Sequence, residues 1–221
     1  MIIGTAADGP FQKNGYVLGC ERTKHAVYID PGDEVEQLLG FIAEQGLTVR
    51  HILLTHAHVD HVSGVAEAKR RLQAPIYLHR ADQELYDNAA RQGAMFGIQV
   101  EQPPPVDQYY EGQPPITFGD YVVDVHHTPG HAPGGVCLAV TQASSLKPQA
   151  PSLFVGDNLF AGSIGRTDLP GGDYDVLMKA ITEVLFTFPD ESMVYSGHGP
   201  ETTIGRERRS NPFVLEYLAS K

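Results

Sequence analysis

The segment Thr55-His56-Ala57-His58-Val59-Asp60-His61 follows directly after the apolar run Ile52-Leu53-Leu54, and it contains three imidazoles and one carboxylate. Neutral imidazole and carboxylate groups are ligands for zinc, iron and manganese. Groups of this kind are costly to bury side by side unless a cation holds them together. The alternative is a solvated, histidine-rich loop. We favour a metal site, because further isolated His and Asp residues follow in glycine-flanked turns.

Those further residues end three later strand-like runs: His131 in His127-Thr128-Pro129-Gly130-His131, Asp157 after Phe154-Val155-Gly156, and His198 in Tyr195-Ser196-Gly197-His198-Gly199. Loops at one edge of a sheet share a rim, so ligands distant in sequence can converge there. Structural zinc takes four ligands and closes its shell. Seven donors therefore predict two ions that share a bridging carboxylate and a bridging water.

The order H-x-H-x-D-H, followed by His, Asp and His, resembles the metallo-β-lactamase superfamily over essentially the whole chain. The resemblance implies an α/β fold of the αββα type, in which two mixed sheets pack face to face with helices outside. The sequence rhythm alone supports only a layered α/β protein. The resemblance also implies a first ion bound by His56, His58 and His131, a second bound by Asp60, His61 and His198, and Asp157 as the bridge.

Within the superfamily, Gly165-Arg166-Thr167-Asp168 and the ending Gly197-His198-Gly199-Pro200-Glu201 resemble the short, bacterial type of glyoxalase II, a hydroxyacylglutathione hydrolase. This resemblance implies hydrolysis of a thioester, S-lactoylglutathione, to glutathione and lactate by a hydroxide held between two divalent ions. Zinc is the expected metal, with iron and manganese as alternatives. Asp60 is the expected catalytic residue, because it orients the hydroxide in addition to binding metal.

The ending departs from the longer glyoxalase II pattern, which has a Glu-Tyr pair after the last histidine and a helical glutathione-binding domain. Here Gly199-Pro200 follows, and the chain stops soon afterwards. The identity of the thiol therefore stays open, and three alternatives remain. They are a persulfide dioxygenase with one iron held by two histidines and Asp157, a lactonase or other acyl hydrolase, and an iron-bound redox or sensor module.

Three residues outside the ligand pattern are assigned supporting roles. Arg166 is the candidate for binding a negatively charged substrate, and an ion pair with Asp168 is the equally favoured alternative. Asp30 resembles a family carboxylate that braces the ligand loop. His127 is expected to be an outer hydrogen-bond partner of a ligand, since metal-bound histidines commonly need one.

Composition predicts one catalytic domain over residues 1–221, and the hydrophobic share of 42% is that of an ordinary globular protein. The net charge of −11 argues against a nucleic-acid partner. No apolar run approaches the ~18 residues of a membrane span, and the amino terminus lacks the pattern of a secretory signal. We expect a cytoplasmic enzyme acting on a small molecule, with Cys20 and Cys137 as buried free thiols. The oligomeric state is not predicted.

Periodicity predicts strands at 16–19, 25–29, 75–78, 116–118, 121–126, 136–140 and 153–155. Helices are expected at 62–72, 82–91 and 174–186, and after Asp33, which is a plausible cap for the apolar face Val35, Leu38, Leu39 and Ile42. Residues 92–115 read as a long loop, either a pocket wall with contacts from Tyr109 and Tyr110 or a disordered connection. Residues 141–150 read as an exposed hairpin loop.

Overall fold

The computed structural model describes residues 1–143 and 149–221, and it contains two six-stranded sheets. The first sheet contains the amino-terminal strands. Its order is β1 (Ile2–Asp8), β2 (Lys13–Gly19), β3 (His25–Ile29), β4 (Thr48–Leu53), β5 (Ile76–Leu78) and β6 (Gln108–Tyr109). The first three strands are antiparallel, and the pairs from β3 to β6 are parallel. The carboxyl ends of β3, β4 and β5 therefore lie at one edge.

The second sheet contains the later strands in the order β14-β13-β10-β9-β8-β7. These are β7 (Ile116–Phe118), β8 (Tyr121–His127), β9 (Val136–Gln142), β10 (Ser152–Gly156), β13 (Met193–Ser196) and β14 (Thr202–Thr203). Strands β10 and β13 are parallel, and the other pairs are antiparallel. A short separate hairpin is formed by β11 (Leu159–Phe160) and β12 (Ser163–Ile164).

Three buried clusters hold the layers together. The middle cluster joins the two sheets through side chains such as Leu18, Val27, Phe118 and Leu138. The outer two join each sheet to its helices. The helices are α1 (Val35–Glu44), α2 (Val59–Val62), α3 (Val65–Leu72), α4 (Gln83–Asp87), α5 (Ala89–Met95), α6 (Tyr174–Lys179), α7 (Ile204–Ser210) and α8 (Pro212–Ala219). The predicted αββα sandwich is confirmed.

Helix α1 buries the predicted face, Val35, Leu38, Leu39 and Ile42, but Asp33 does not cap it. The capping position is Glu34, whose carboxylate accepts hydrogen bonds from Gly32 N and Tyr28 Oη instead of from the helix. Asp33 accepts a hydrogen bond from Ser63 Oγ. The predicted cap is therefore wrong, because both carboxylates serve tertiary contacts rather than the helix terminus.

The helix predicted at 62–72 is divided into α2 and α3 at Gly64. The amide of Gly64 donates to Pro31 O at 3.0 Å, and a Cβ at this position would lie 2.2 Å from Gly32 O. The close approach to the turn after β3 accounts for the break between α2 and α3 at Gly64. The helix predicted at 82–91 is likewise a series of short elements, a 3₁₀ turn at Arg80–Asp82 followed by α4 and α5.

The segment 92–115 begins as the end of α5 and later adds β6 to the sheet edge. Tyr110 is buried and donates to Leu54 O at 3.0 Å, while Tyr109 donates to Gln83 Oε1 at 2.6 Å. Neither tyrosine lines the cavity described below, whereas Gln92 and Phe96 of the same segment do, so the predicted pocket wall is found at these two residues and not at the tyrosines.

Strands β9 and β10 pair in an antiparallel manner, with Ser152 opposite Val140, as the predicted hairpin requires. Residues 144–148 of its loop lie outside the described residues. The structure gives both cysteines as free and buried. In the two described ranges, no helix is long and apolar enough to cross a membrane.

Candidate metal centre

Four loops at one edge of the sandwich bring the predicted ligands together. The loop after β4 contains His56 and His58 and leads into α2, which carries Asp60 and His61. The other three loops follow β8, β10 and β13, and they supply His131, Asp157 and His198. Gly156 has a positive φ of 53°, and a Cβ there would meet Thr55 Oγ1 at 2.5 Å. Glycine thus lets the chain turn toward Asp157 against the ligand loop.

The seven side chains form two groups of convergent donor atoms. Within each group, one atom from every residue lies within 4.8 Å of the others: His56, His58 and His131 in the first, and Asp60, His61, Asp157 and His198 in the second. Asp157 also approaches the first group, because its Oδ2 lies 3.7 Å from His131 Nε2, compared with 3.3 Å from His198 Nε2 in its own group. The arrangement is typical of a binuclear site.

Four of the imidazoles are oriented by hydrogen bonds from their Nδ1 atoms. His61 donates to Asp30 Oδ2 at 2.9 Å, His131 to Arg166 O at 2.8 Å, His198 to Phe11 O at 3.1 Å, and His56 Nδ1 lies 3.2 Å from Thr55 Oγ1. Such outer bonds fix the tautomer of a metal ligand. His58 differs, since its Nδ1 faces His131 Nε2 at 2.9 Å.

Buried atoms without hydrogen-bond partners show that this donor set fits cations. Among the described residues, His56 Nε2, His58 Nε2, His61 Nε2 and Asp157 Oδ1 are buried and have no such partner. Leaving a buried polar atom unsatisfied costs ~1–3 kcal/mol. Several such atoms that face one another are explained by divalent ions that bind imidazole nitrogen and carboxylate oxygen.

The two groups have opposite electrostatics. Burial, together with the nearby His131, lowers the pKa of His58 to about 3. Burial and the nearby His61 also hold the pKa of His56 well below its usual range. In the second group, burial lowers the pKa of His61, but the carboxylates of Asp157, Asp60 and Asp30 have the larger effect and raise this pKa to about 10. His56 and His58 are thus neutral at pH 7, the form that binds metal.

The pKa of His198 is raised to about 9, because hydrogen bonds to Asp157 and Asp60 outweigh the effect of burial. Burial raises the pKa of Asp157, but His61 and His198 together hold it well below its usual range. The second group is therefore a network of cationic imidazoles and carboxylates in the metal-free protein. Cations that bind there must displace protons from His61 and His198.

Asp30 lies directly behind the ligand loop, as the sequence resemblance implied. Its carboxylate accepts hydrogen bonds from Thr55 N and Thr55 Oγ1, both at 2.6 Å, as well as from His61 Nδ1. Asp30 has a left-handed backbone with φ of 50°, which directs its side chain back toward the loop. The carboxylate thus fixes both the start of the loop and the ring of His61.

A second carboxylate with a similar role, Asp82, was not predicted from the sequence. It is buried and accepts hydrogen bonds from Ala57 N at 2.9 Å and from Gly134 N. It therefore connects the loop of His56 and His58 with the loop of His131. Burial raises the pKa of Asp82 to about 6. The available signal was its position after β5, which runs parallel to β4 and ends at the same rim.

Arg166 forms a hydrogen bond to a residue of the donor cluster, whereas His127 does not in the described part of the chain. The Arg166 guanidinium pairs with Asp168 through two contacts of 2.7 Å, and its main-chain oxygen orients His131. His127 donates to Pro133 O at 2.9 Å and stacks on His79 with ring centroids 4.0 Å apart. The prediction put His127 beside a ligand, but within the described ranges no hydrogen bond joins it to any of the seven residues.

A cavity of about 150 Å³ opens above the two groups. The cluster residues His58, Asp60, His131, Asp157 and His198 form its floor. Its walls are formed by Phe11, Val59, Gln92, Phe96, Arg166 and Leu169. The cavity gives a small molecule direct access to both donor groups.

The chain belongs to the metallo-beta-lactamase superfamily, because the family model matches residues 8–198. A probable metallo-hydrolase of Bacillus subtilis (strain 168) is 38% identical, over 93% of this chain and 94% of that protein. The hydroxyacylglutathione hydrolase GloC of Haemophilus influenzae is 34% identical, over 92% of this chain and 93% of that protein.

Solved structures agree with this assignment. The BLEG-1 B3 metallo-beta-lactamase has a TM-score of 0.85 at 37% identity, covering 96% of this chain and 99% of that one. TTHA1623 in a di-iron-bound form has a TM-score of 0.81 at 41% identity, covering 95% and 99%. ETHE1 from Myxococcus xanthus has a TM-score of 0.75 at 31% identity, covering 98% and 85%. Together the comparisons define a metallo-hydrolase superfamily protein.

Proposed function

We propose that this protein is a metal-dependent hydrolase that cleaves a thioester, with S-lactoylglutathione as the first candidate substrate and glutathione and lactate as products. The observation that carries the proposal is the pair of donor groups connected by Asp157 beneath an open cavity. The similarity to a hydroxyacylglutathione hydrolase along nearly the full length of both chains supports the choice of substrate.

His56, His58 and His131 would hold one divalent ion and Asp60, His61 and His198 the other, with Asp157 between them. When bound, two such ions supply a water-derived nucleophile near neutral pH and electrophilic stabilisation of a developing oxyanion. Zinc is the proposed metal, and imidazole and carboxylate are among its usual ligands. Iron and manganese accept the same donors, and the similar TTHA1623 structure is in a di-iron-bound form.

Asp60 is the proposed catalytic carboxylate. Its Oδ2 accepts a hydrogen bond from His198 Nε2 at 3.1 Å, and the residue lines the cavity. Burial raises the pKa of Asp60, but His61 and His198 lower it below its usual value, so the group is ionised at pH 7. An ionised carboxylate at this position accepts a hydrogen bond from water and orients its oxygen toward the substrate carbonyl.

The thiolate leaving group needs little assistance from the protein. Hydrolysis forms a C–O bond to the water oxygen and breaks the C–S bond, and the products are a carboxylate, a thiol and one proton. A thiol has a pKa near ~8.5, so the sulfur leaves as thiolate and takes its proton from solvent. The described site therefore needs no dedicated acid beside the sulfur.

The direct test is hydrolysis of S-lactoylglutathione by protein reconstituted separately with zinc, iron and manganese, followed as loss of the thioester absorbance. We expect turnover in at least one form and none after chelation. Absence of turnover in all three forms would contradict the proposal.

A second candidate, a persulfide dioxygenase with mononuclear iron, is supported by the similarity to ETHE1 at 31% identity and by the Gly165–Asp168 motif. Oxygen consumption by the iron form with glutathione persulfide distinguishes this candidate. The second donor group counts against it, because a single iron would leave Asp60 and His61 without a metal.

We further propose a small-molecule substrate, no nucleic-acid partner and a cytoplasmic location. The net charge of −11 supports the exclusion of nucleic acid. The two buried free thiols agree with a reducing compartment.

A further inference from the structure

Two phenylalanines from distant parts of the chain form an aromatic wall above the metal centre. Phe11 lies in the turn between β1 and β2, and Phe96 follows the last residue of α5. Their rings meet edge to face, with centroids 5.3 Å apart at an angle of 88°. Val59 and Leu169 also line this cavity. The walls of the cavity above the donor side chains are therefore mainly apolar.

The polar groups of the wall are already engaged. Gln92 Nε2 donates to Ala57 O at 3.0 Å and to Leu85 O at 2.8 Å. Within the described residues, Arg166 is the one lining side chain with a permanent positive charge, and both of its contacting nitrogens bind Asp168. A chain rich in carboxylates and amides would therefore lose its hydration here without gaining partners.

The cavity size limits what can enter. Its volume of about 150 Å³ includes the space between the metal-binding side chains of the floor, and it opens to solvent, so only a small group can lie against Phe11 and Phe96. A tripeptide thiol such as glutathione is several times larger. With the reacting carbonyl at the cluster floor, the smaller acyl arm fits beside the aromatic wall and the larger thiol arm extends toward the opening of the cavity.

We propose that the Phe11–Phe96 wall is an acyl-binding subsite selective for unbranched, apolar acyl groups, and that Phe96 is a specificity-determining residue. This inference rests on the proposed thioesterase function, and it implies that hexanoyl thioesters are better substrates than the polar lactoyl thioester. Burial of each additional methylene raises kcat/KM by up to about fourfold.

The test compares acetyl-, butanoyl-, hexanoyl- and S-lactoylglutathione, which share one thiol, with metal-reconstituted wild type and Phe96→Ala. We expect kcat/KM to rise from acetyl to hexanoyl in the wild type and to change little with length in Phe96→Ala. Phe96 is 49% exposed, so its truncation leaves the core intact. Met95→Ala is the matched control, because Met95 is 77% exposed and does not line the cavity; it should retain the wild-type length dependence.

Equal rates across acyl lengths, or a preference for lactoyl over butanoyl, would overturn the subsite while leaving the thioesterase proposal intact. If no thioester is hydrolysed, the thioesterase proposal fails and the subsite is decided by calorimetric binding of 2-heptanone against acetone, which carry the same carbonyl without sulfur. Tighter binding of 2-heptanone that is lost in Phe96→Ala would support the subsite. Equal binding by wild type and Phe96→Ala would reject it.

Discussion

At the scale of single residues, the centre depends on imidazoles whose orientation is fixed from outside. The Nδ1 atoms of His61, His131 and His198 each donate to an oxygen of the protein, which leaves Nε2 to face the cluster. Two of the three acceptors are main-chain oxygens, of Arg166 and Phe11. A substitution of Arg166 therefore changes its ion pair with Asp168 without removing the acceptor of His131.

Replacement of His58 or Asp60 by alanine should leave a folded protein with reduced metal content and little thioesterase rate. Each substitution removes one donor from a different group, and loss of Asp60 also removes the proposed catalytic carboxylate. Metal per chain by elemental analysis and turnover of S-lactoylglutathione measure the effect. His25→Ala is the control, since His25 lies on β3 outside both groups. Full metal content and full rate in either variant would contradict the ligand assignment.

Metal uptake by the metal-free protein should release protons at pH 7.5. His61 and His198 have pKa values of about 10 and about 9, above the usual histidine value of 6.5, so both carry protons that cations must displace. Because folding raises the pKa of both histidines, their protonated forms stabilise the metal-free fold. This stabilisation is fully present below pH 6.5 and is lost as the pH rises through 9 to 10.

Calorimetric titration with zinc in two buffers of different ionisation enthalpy counts the released protons. Apparent zinc affinity should also increase as pH rises from 6.5 to 9. Identical heats in the two buffers at pH 7.5 would show that neither histidine is protonated.

Asp82→Asn should destabilise the protein by ~1–3 kcal/mol, because the new amide offers one acceptor oxygen to two buried N–H groups and leaves one of them unsatisfied. Urea unfolding of the metal-free protein measures the loss. Asp87→Asn, on the exposed end of α4, is the matched control and should change stability little. Equal stability of the two variants would mean that Asp82 does not connect the two loops.

The sequence identified all seven residues that the structure brings together, since strongly polar side chains at strand ends are visible without coordinates. It did not identify Asp82, because a carboxylate that binds main-chain amides has no characteristic spacing to the ligands. The ring of His127 stacks on His79, which follows β5 of the other sheet and is far away in sequence. Contacts of this kind depend on tertiary packing, which residue patterns do not encode.

At the scale of elements, strand β2 contacts segments that hold ligands of both sheets. The buried Lys13 side chain pairs with Glu34 at 3.1 Å and donates to Asp30 O, next to the carboxylate that holds His61. The main chain of Lys13 forms a β-bridge to His198, and Asn14 N donates to Gly197 O at 2.7 Å. One end of this strand therefore supports ligands from both sheets.

Lys13→Met should destabilise the protein by ~3–5 kcal/mol, because it leaves the Glu34 carboxylate buried without its partner. Glu34 is fully buried, so solvent cannot replace the ammonium group. Urea unfolding should show the loss, and the double variant Lys13→Met with Glu34→Gln should recover part of it. Lys179→Met, at the exposed end of α6, is the control. A loss below that of the control variant would contradict the assigned role of the pair.

The existence of most elements followed from periodicity, but their ends did not. Helix α2 ends and α3 begins where Gly64 packs on the turn after β3, a contact between segments that no local pattern contains. Glu34 has the position of a cap but forms a tertiary ion pair with Lys13 instead. Tertiary contacts thus override local capping preferences at both places.

At the scale of the whole molecule, the parallel strands of both sheets end at one rim, and this geometry gathers a donor cluster typical of binuclear sites from residues spread between positions 56 and 198. The αββα arrangement was available from the sequence through its family resemblance, since the rhythm of elements alone indicates only layers. The identity of the substrate could not be predicted in this way, because the walls of the cavity come from a turn, a helix end and a loop with no shared motif.

The most direct test of a two-metal centre is a zinc titration of metal-free protein, with bound metal and S-lactoylglutathione hydrolysis measured on the same samples. Wild type should bind two ions per chain and reach its highest rate at that ratio. Asp157→Ala, which removes the residue between the groups, should bind less and lose turnover. A wild-type plateau at one ion per chain with no further rate from a second would contradict the binuclear centre.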